Sequence, residues 1–295
     1  MENAMLDPRP LVGRLRWIRQ YPAYGEAPAR AALRTIGFTL REQMAGAEGM
    51  EFEACGGRRF RSPRNNISSF IAAIFEQRDL NIVRFWQRRL KPGAVFFDVG
   101  ANIGLYAVPA SQQVGPDGRV ICFEAHPAIH AYLRRNLARN TGGNAVAENL
   151  AVGSRSGETR ITFNAGNPGE NHVARGGEAG ETVRIVALDD YCAGAGIGRV
   201  DYMKIDVEGY EINVLRGAER LVAASPEILI QTEYEPVHLS RYGAPSELGD
   251  LLAGWGFRPY RIAWRDGAAI PLDSLAGYTG EIVWSRRDLA APQAS

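Results

Sequence analysis

At 295 residues the chain has room for one large α/β domain with an appendage, or for two small domains. Its net charge of +1 argues against electrostatic capture of nucleic acid or of an anionic membrane. Cys55, Cys122 and Cys192 form no CxxC pair, which excludes a zinc knuckle, and charged residues interrupt every run long enough for a leader or a membrane span, so the expectation is a cytoplasmic protein.

Residues 1–90 read as an N-terminal helical and hairpin cap. It starts with an arginine-punctuated arm carrying one weak helix, followed by a helix over 27–44 and a hairpin over 50–61 that turns at Gly56 and Gly57. Helical spacing of Phe70, Ile71, Ile74, Phe75, Ile82, Phe85 and Trp86 then predicts one helix over 68–90. Lys91-Pro92-Gly93 ends it and opens a core domain over 91–288. Five strands are expected at 94–99, 118–124, 144–152, 200–207 and 227–233, with helices after Gly104 and at 127–140, 210–224 and 246–255. A glycine- and asparagine-rich excursion separates the third from the fourth, holding short extended pieces at 159–164 and 182–187 and a small helix from Leu188. Segments 257–264 and 281–286 read as closing strands, and 289–295 as a disordered tail. The alternation predicts an α/β, Rossmann-like fold with a mostly parallel sheet, whose ligands sit beyond the carboxyl ends of the strands.

Three such ends carry chemistry. The first strand runs into Asp98-Val-Gly100-Ala101-Asn102-Ile-Gly104, where Gly100 permits a tight turn and Gly104 close helix packing. Asp98 stands where a dinucleotide fingerprint has its first glycine; a carboxylate there repels a pyrophosphate and suits a cofactor bearing an ammonium and a sulfonium. Glu124, at the end of the second strand, is placed to accept hydrogen bonds from both ribose hydroxyls of an adenosine. In the fourth strand Lys204, Asp206 and Glu208 alternate, so all three are expected to point into one cleft, while Glu211 faces away.

The segments FDVGANIGLY, VICFEAHP, LDDY, YMKIDVEGYEINVLRGAERL and PEILIQTEYEP resemble the FkbM family of methyltransferases over roughly residues 91–236. The resemblance implies a class I S-adenosylmethionine-dependent fold with a seven-stranded sheet whose last strand is antiparallel. It implies that Asp98, Gly100, Ala101, Asn102 and Gly104 cradle the methionine end of the cofactor and that Glu124 holds the ribose. Asn149 and Ala151 would lie near adenine and Asp206 at the methyl-transfer end. It also implies O-methylation of a sugar, glycan or natural-product hydroxyl.

Methyl transfer to a hydroxyl needs positioning and a base for the departing proton. The candidates are Asp206, Glu208, Glu233, His172 and His238, with His172 in a polar loop that could close over the site. A metal-assisted variant would set Mg2+ among Asp206, Glu208 and Glu233. Trp17, Tyr21 and Tyr24 in the cap are expected to pack on the core, and a homodimer contact there stays open. The alternatives are an NAD(P)-dependent oxidoreductase using the same loop and Glu124, and a catalytically silent cofactor-binding protein.

Overall fold

The computed structural model describes residues 11–77, 79–164 and 166–290. They divide into two compact units, one built from residues up to Asp79 with Asn164–Gly169, the other from Leu80–Phe163 and the residues from Glu170 onward. The first ten residues of the expected arm and the last five of the expected tail lie outside the described residues. Within that expected tail Leu289 is buried, and its carbonyl accepts a hydrogen bond from Arg89.

The first unit contains α1 (Leu11–Trp17), α2 (Pro28–Met44), the hairpin strands β1 (Met50–Ala54) and β2 (Arg58–Ser62), and α3 (Ile67–Phe75). The hairpin pairs Met50 with Ser62 through Ala54 with Arg58 and turns through Gly56 and Gly57, both at positive φ. Alternation sends Phe52 and Phe60 inward, where Phe52 meets Phe38 edge-on and Phe38 meets Phe70. Arg14 is buried among these rings yet satisfied, donating to Glu42 at 2.5 Å and Thr39 at 3.1 Å. The single helix expected over 68–90 is two helices. It breaks where Glu76 turns left-handed (φ 70°), its carbonyl taking the Cys55 amide and its carboxylate pairing with Arg34. A tertiary contact, not a glycine or proline, stops this helix.

The second unit opens with α4 (Leu80–Arg89), β3 (Val95–Val99), α5 (Ala107–Val114), β4 (Arg119–Phe123), α6 (Pro127–Asn140), β5 (Ala145–Glu148) and β6 (Ala151–Val152). It continues with β7 (Gly157–Ile161), β8 (Glu181–Val186), α7 (Leu188–Ala195), β9 (Tyr202–Ile205), α8 (Glu211–Arg216), α9 (Glu219–Ala223) and β10 (Leu229–Tyr234). Then follow α10 (Pro236–Leu239), α11 (Ser246–Gly254), β11 (Arg258–Ile262), β12 (Ala269–Pro271) and β13 (Gly280–Ser285).

The main sheet has the order β12-β11-β13-β10-β9-β3-β4-β5. From β5 to β10 the strands are parallel, and β13 runs antiparallel to β10, as expected of the closing strand. Eight strands stand where seven were expected, because the chain after β11 turns back as β12 on the edge. Residues Tyr202 to Ile205 of β9 are all buried, the pattern of a central parallel strand covered on both faces. Strand order reverses between β3 and β9, which makes their carboxyl ends the natural crevice of the sheet.

The expected third strand divides. β5 stays in the main sheet, whereas β6 pairs with β8, and β8 with β7, in a separate three-stranded sheet. The divider is Asn149, whose side-chain amide donates to the carbonyls of Glu124 and Ala125 at 2.8 and 3.0 Å and ends the pairing with β4.

Candidate active site

The loop after β3 is built by its own backbone. Gly100 has φ 77°, and a Cβ there would lie 1.9 Å from the Asp206 carbonyl oxygen, so glycine is obligatory on both counts. The amides of Gly100 and Ala101 both donate to the Phe123 carbonyl, that of Gly104 to Ala101, and that of Asn102 to Glu124 Oε2 at 2.9 Å. These four donors are therefore engaged inside the protein. A loop that grips a pyrophosphate presents its amides to the ligand instead.

Glu124 is enclosed at the end of β4, its second oxygen accepting the His126 amide at 2.9 Å. Burial pushes its carboxyl up to about 7 against the pull of these two amides. Asn149 lies beside it, on the carbonyls of residues 124 and 125, and Ala151 is buried in β6. His126 caps α6 through Nδ1, and its ring packs on the exposed Phe163 at 5.0 Å.

Asp98 differs from its expected place in the cradle wall. Its side chain is wholly enclosed, and the nearest charge is Lys204 Nζ at 3.5 Å. Burial drives its pKa up, and the ammonium opposes the shift. Lys204 also reaches Asp206 Oδ2 at 3.2 Å and the Gly100 carbonyl at 3.2 Å, and it lies 4.9 Å over the Tyr106 ring. Tyr106 was not singled out in the sequence, and nothing in its spacing marks it.

The alternation expected to carry Lys204, Asp206 and Glu208 into one cleft fails beyond Ile205, where β9 ends. Glu208 is left-handed (φ 58°), and Gly209 presses so closely on α10 that a Cβ would fall 2.2 Å from the His238 carbonyl oxygen. That contact sets Glu208 Oε2 3.1 Å from His238 Nδ1, with Glu233 Oε2 at 3.9 Å. Glu208, Glu233 and His238 thus converge, one ligand-type atom of each within 4.8 Å of the others, a donor set able to hold a cation. The all-oxygen set considered for Mg2+ does not form in that way, because Asp206 faces the Lys204 ammonium. Burial and the Arg241 charge hold His238 below the usual histidine range, against the pull of Glu235, Glu170 and Asp206.

His172 stands apart from this cluster. Its Nδ1 lies 3.1 Å from Thr162 Oγ1, its carbonyl takes the Thr162 amide, and Nε2 faces Glu178 at 3.4 Å. Glu211, expected to face away, is instead buried beneath the turn, its Oε1 accepting the amides of Val207 and Gly209. The helix that delivers His238 was not foreseen, although Glu235-Pro236 carries the signal for one, an acidic cap followed by proline at the first helical position.

No helix of the described residues is long and apolar enough to cross a membrane. The O-methyltransferase from Bacillus cereus in complex with SAH superposes with a TM-score of 0.43 at 14% identity, covering 70% of this chain and 79% of that one. Among known proteins, AMB antimetabolite synthetase AmbE of Pseudomonas aeruginosa is 25% identical over 81% of this chain, but the chain spans only 13% of its length. The 2-O-methyltransferase NoeI of Sinorhizobium fredii is 28% identical over half of this chain and 66% of its own length. The 31-O-demethyl-FK506 methyltransferase FkbM of Streptomyces tacrolimicus is 32% identical over 57% of this chain and 74% of its own length. The description "Methyltransferase FkbM domain" matches residues 98–259, a span that starts at Asp98 and takes in the glycine loop, Glu124, the turn after β9 and His238. With more than half of its length so matched, the chain belongs to the FkbM family of S-adenosylmethionine-dependent methyltransferases.

Proposed function

We propose that this protein transfers a methyl group to a hydroxyl oxygen of a sugar, glycan or natural-product acceptor, with the Glu208–His238 pair taking the hydroxyl proton. The observation that carries the reading is the short turn at 206–209, which joins two sites. At one end the Asp206 carbonyl packs on Gly100 of the cofactor loop, and at the other Gly209 packs on His238.

The pocket fits an adenosyl sulfonium cofactor. Glu124 accepts one backbone amide on each oxygen and keeps further lone pairs for a ribose diol. Gly100, Ala101, Asn102 and Gly104 would follow the methionine portion, with Asn149 and Ala151 towards adenine. Asp206, paired with Lys204, would stand at the transfer end. Asp98 acts through Lys204 rather than by touching the cofactor. S-adenosylmethionine supplies the methyl group on a sulfonium and leaves as a neutral thioether. The protein holds the acceptor oxygen in line with that carbon, and proximity accounts for several kcal/mol of the barrier. His238 is held neutral near pH 7 and is therefore able to accept the proton, while Glu208 at 3.1 Å steadies the imidazolium that forms. Glu233 flanks the pair and orients the acceptor. The internally engaged amides of the loop speak against the oxidoreductase alternative, which needs donors for a pyrophosphate.

The test is transfer of labelled methyl from S-adenosylmethionine into fractionated extract of the source organism, with Glu124→Ala as the negative control. Label in a glycan or small-molecule fraction, lost in His238→Gln, supports the reading. Tight cofactor binding with no label in any fraction would favour a silent cofactor-binding protein.

A further inference from the structure

We infer that Glu211 is a positioning residue for the transfer: its buried carboxyl clamps the 206–209 turn and thereby sets the distance between Glu208 and His238. The inference rests on the reading of that pair as the proton acceptor.

The turn is unusual in three ways that need explaining together. It leaves β9 at Ile205, passes through Glu208 in the left-handed region, and reaches α8 through Gly209 at φ 105°. An L-residue at positive φ is strained, and such a conformation persists only where the surroundings over-determine it. Here the surroundings include two backbone abutments and two side chains, one of them Arg241, whose Nη1 donates to the Glu208 carbonyl at 3.3 Å. Asp206 abuts Gly100, Gly209 abuts His238, and Glu211 Oε1 accepts the amide of Val207 at 3.1 Å and that of Gly209 at 3.2 Å. A single oxygen thus holds the amides on either side of Glu208. The clamp thus ties the strained residue to the helix below it.

The other oxygen of the same carboxyl, Oε2, is buried and makes no hydrogen bond. A solvated glutamate at the start of a short helix would leave the interior; this one stays enclosed, with 1% of the residue exposed. Its retention is explained by geometry at the site above it. Without the clamp, Glu208 relaxes towards an ordinary backbone conformation and its carboxylate swings away from Nδ1. Glutamine preserves Oε1 and therefore the clamp, whereas leucine fills the space and abolishes it.

The effect can be read without knowing the acceptor, from crystal structures of Glu211→Leu and Glu211→Gln with S-adenosylhomocysteine bound. In Glu211→Leu, Glu208 leaves the left-handed region and its carboxylate moves beyond hydrogen-bond reach of His238 Nδ1. In Glu211→Gln, which keeps Oε1, the turn and the Glu208–His238 contact stay as in the parent. S-adenosylhomocysteine affinity, measured in parallel, stays close to that of the parent in both variants and shows that the fold is intact. A merely structural role would lower the melting temperature of Glu211→Leu and leave Glu208 in place. An unmoved Glu208 in folded Glu211→Leu, or a Gln variant that behaves like Leu, overturns the inference. If His238→Gln keeps normal turnover while Glu208 still moves in Glu211→Leu, the clamp stands and the proton-acceptor reading falls.

Discussion

Cofactor affinity should rise with pH through neutrality, and Glu124 is the reason. Each of its oxygens already accepts a backbone amide at 2.9 Å, and burial pushes the carboxyl up to about 7. A ribose diol donates two hydroxyl hydrogens, so the ionised carboxylate, which only accepts, is the binding form. The proton present on Glu124 at low pH must leave when the ligand enters. The ionised fraction rises from about 0.1 at pH 6 to about 0.9 at pH 8, so the dissociation constant falls about tenfold, or about 1.4 kcal/mol. S-adenosylhomocysteine is the right probe, because its own groups do not titrate in that window and no methyl is transferred. Calorimetric titration at pH 6, 7 and 8, in two buffers of different ionisation heat, counts the released proton directly. Close to one proton should be released at pH 6 and close to none at pH 8. Glu124→Gln should bind weakly with no pH slope. A parent affinity equal at pH 6 and 8 refutes the reasoning; so does a slope surviving in Glu124→Gln, which would assign the proton to another group such as Glu211, also near 7.

Gly100→Ala should abolish S-adenosylhomocysteine binding or prevent folding, since the added carbon lands 1.9 Å from the Asp206 carbonyl oxygen; wild-type affinity in this variant would contradict the described loop. Glu211 has a folded pKa raised from 4.5 to about 7, so its ionisation costs stability as pH rises through that interval, up to about 3 kcal/mol above pH 7. The melting temperature of the ligand-free parent should therefore fall from pH 5 to pH 8, and Glu211→Gln should show a smaller fall by differential scanning fluorimetry; equal slopes would exclude Glu211 as the source. Arg14→Met should destabilise the protein by about 3 kcal/mol or more in urea unfolding, because it strands the buried Glu42 carboxylate without its guanidinium partner. Exhaustive chelation should leave turnover unchanged, because the proposed function needs the His238 imidazole free to accept a proton; a loss of activity restored by Mg2+ would make Glu208, Glu233 and His238 metal ligands instead.

What the sequence made legible is what local spacing controls. The strand-loop-helix rhythm, the glycine loop and an acid ending the next strand all follow from residues close together in the chain, and each is found where spacing put it. The misses share a different cause. The helix over 68–90 is interrupted because Glu76 is held by Arg34 and Cys55, contacts invisible to periodicity. The third strand divides because one asparagine side chain occupies the carbonyls that would have continued the ladder. Alternation predicted a common direction for Asp206 and Glu208, but alternation holds only within a strand, and β9 stops one residue earlier. Spacing reads Asp98 as a binding residue, and it carries no sign of the Lys204 ammonium that lies against it. His238 entered as one of several candidate bases, and its proximity to Glu208 depends on a glycine abutting a backbone carbonyl, which no residue count reveals.

The glycine loop after β3 has a kinetic consequence. Its amides are bonded within the protein before any ligand arrives, so the loop is a template that neither folds on capture nor unfolds on release. Entry of fresh cofactor and departure of the spent thioether should then run at rates set by diffusion and by the depth of the crevice, without a slow ordering phase. Under the proposed function, whatever limits the pace of turnover is pushed to the opposite end of the 206–209 turn, where the acceptor would be met and its proton received.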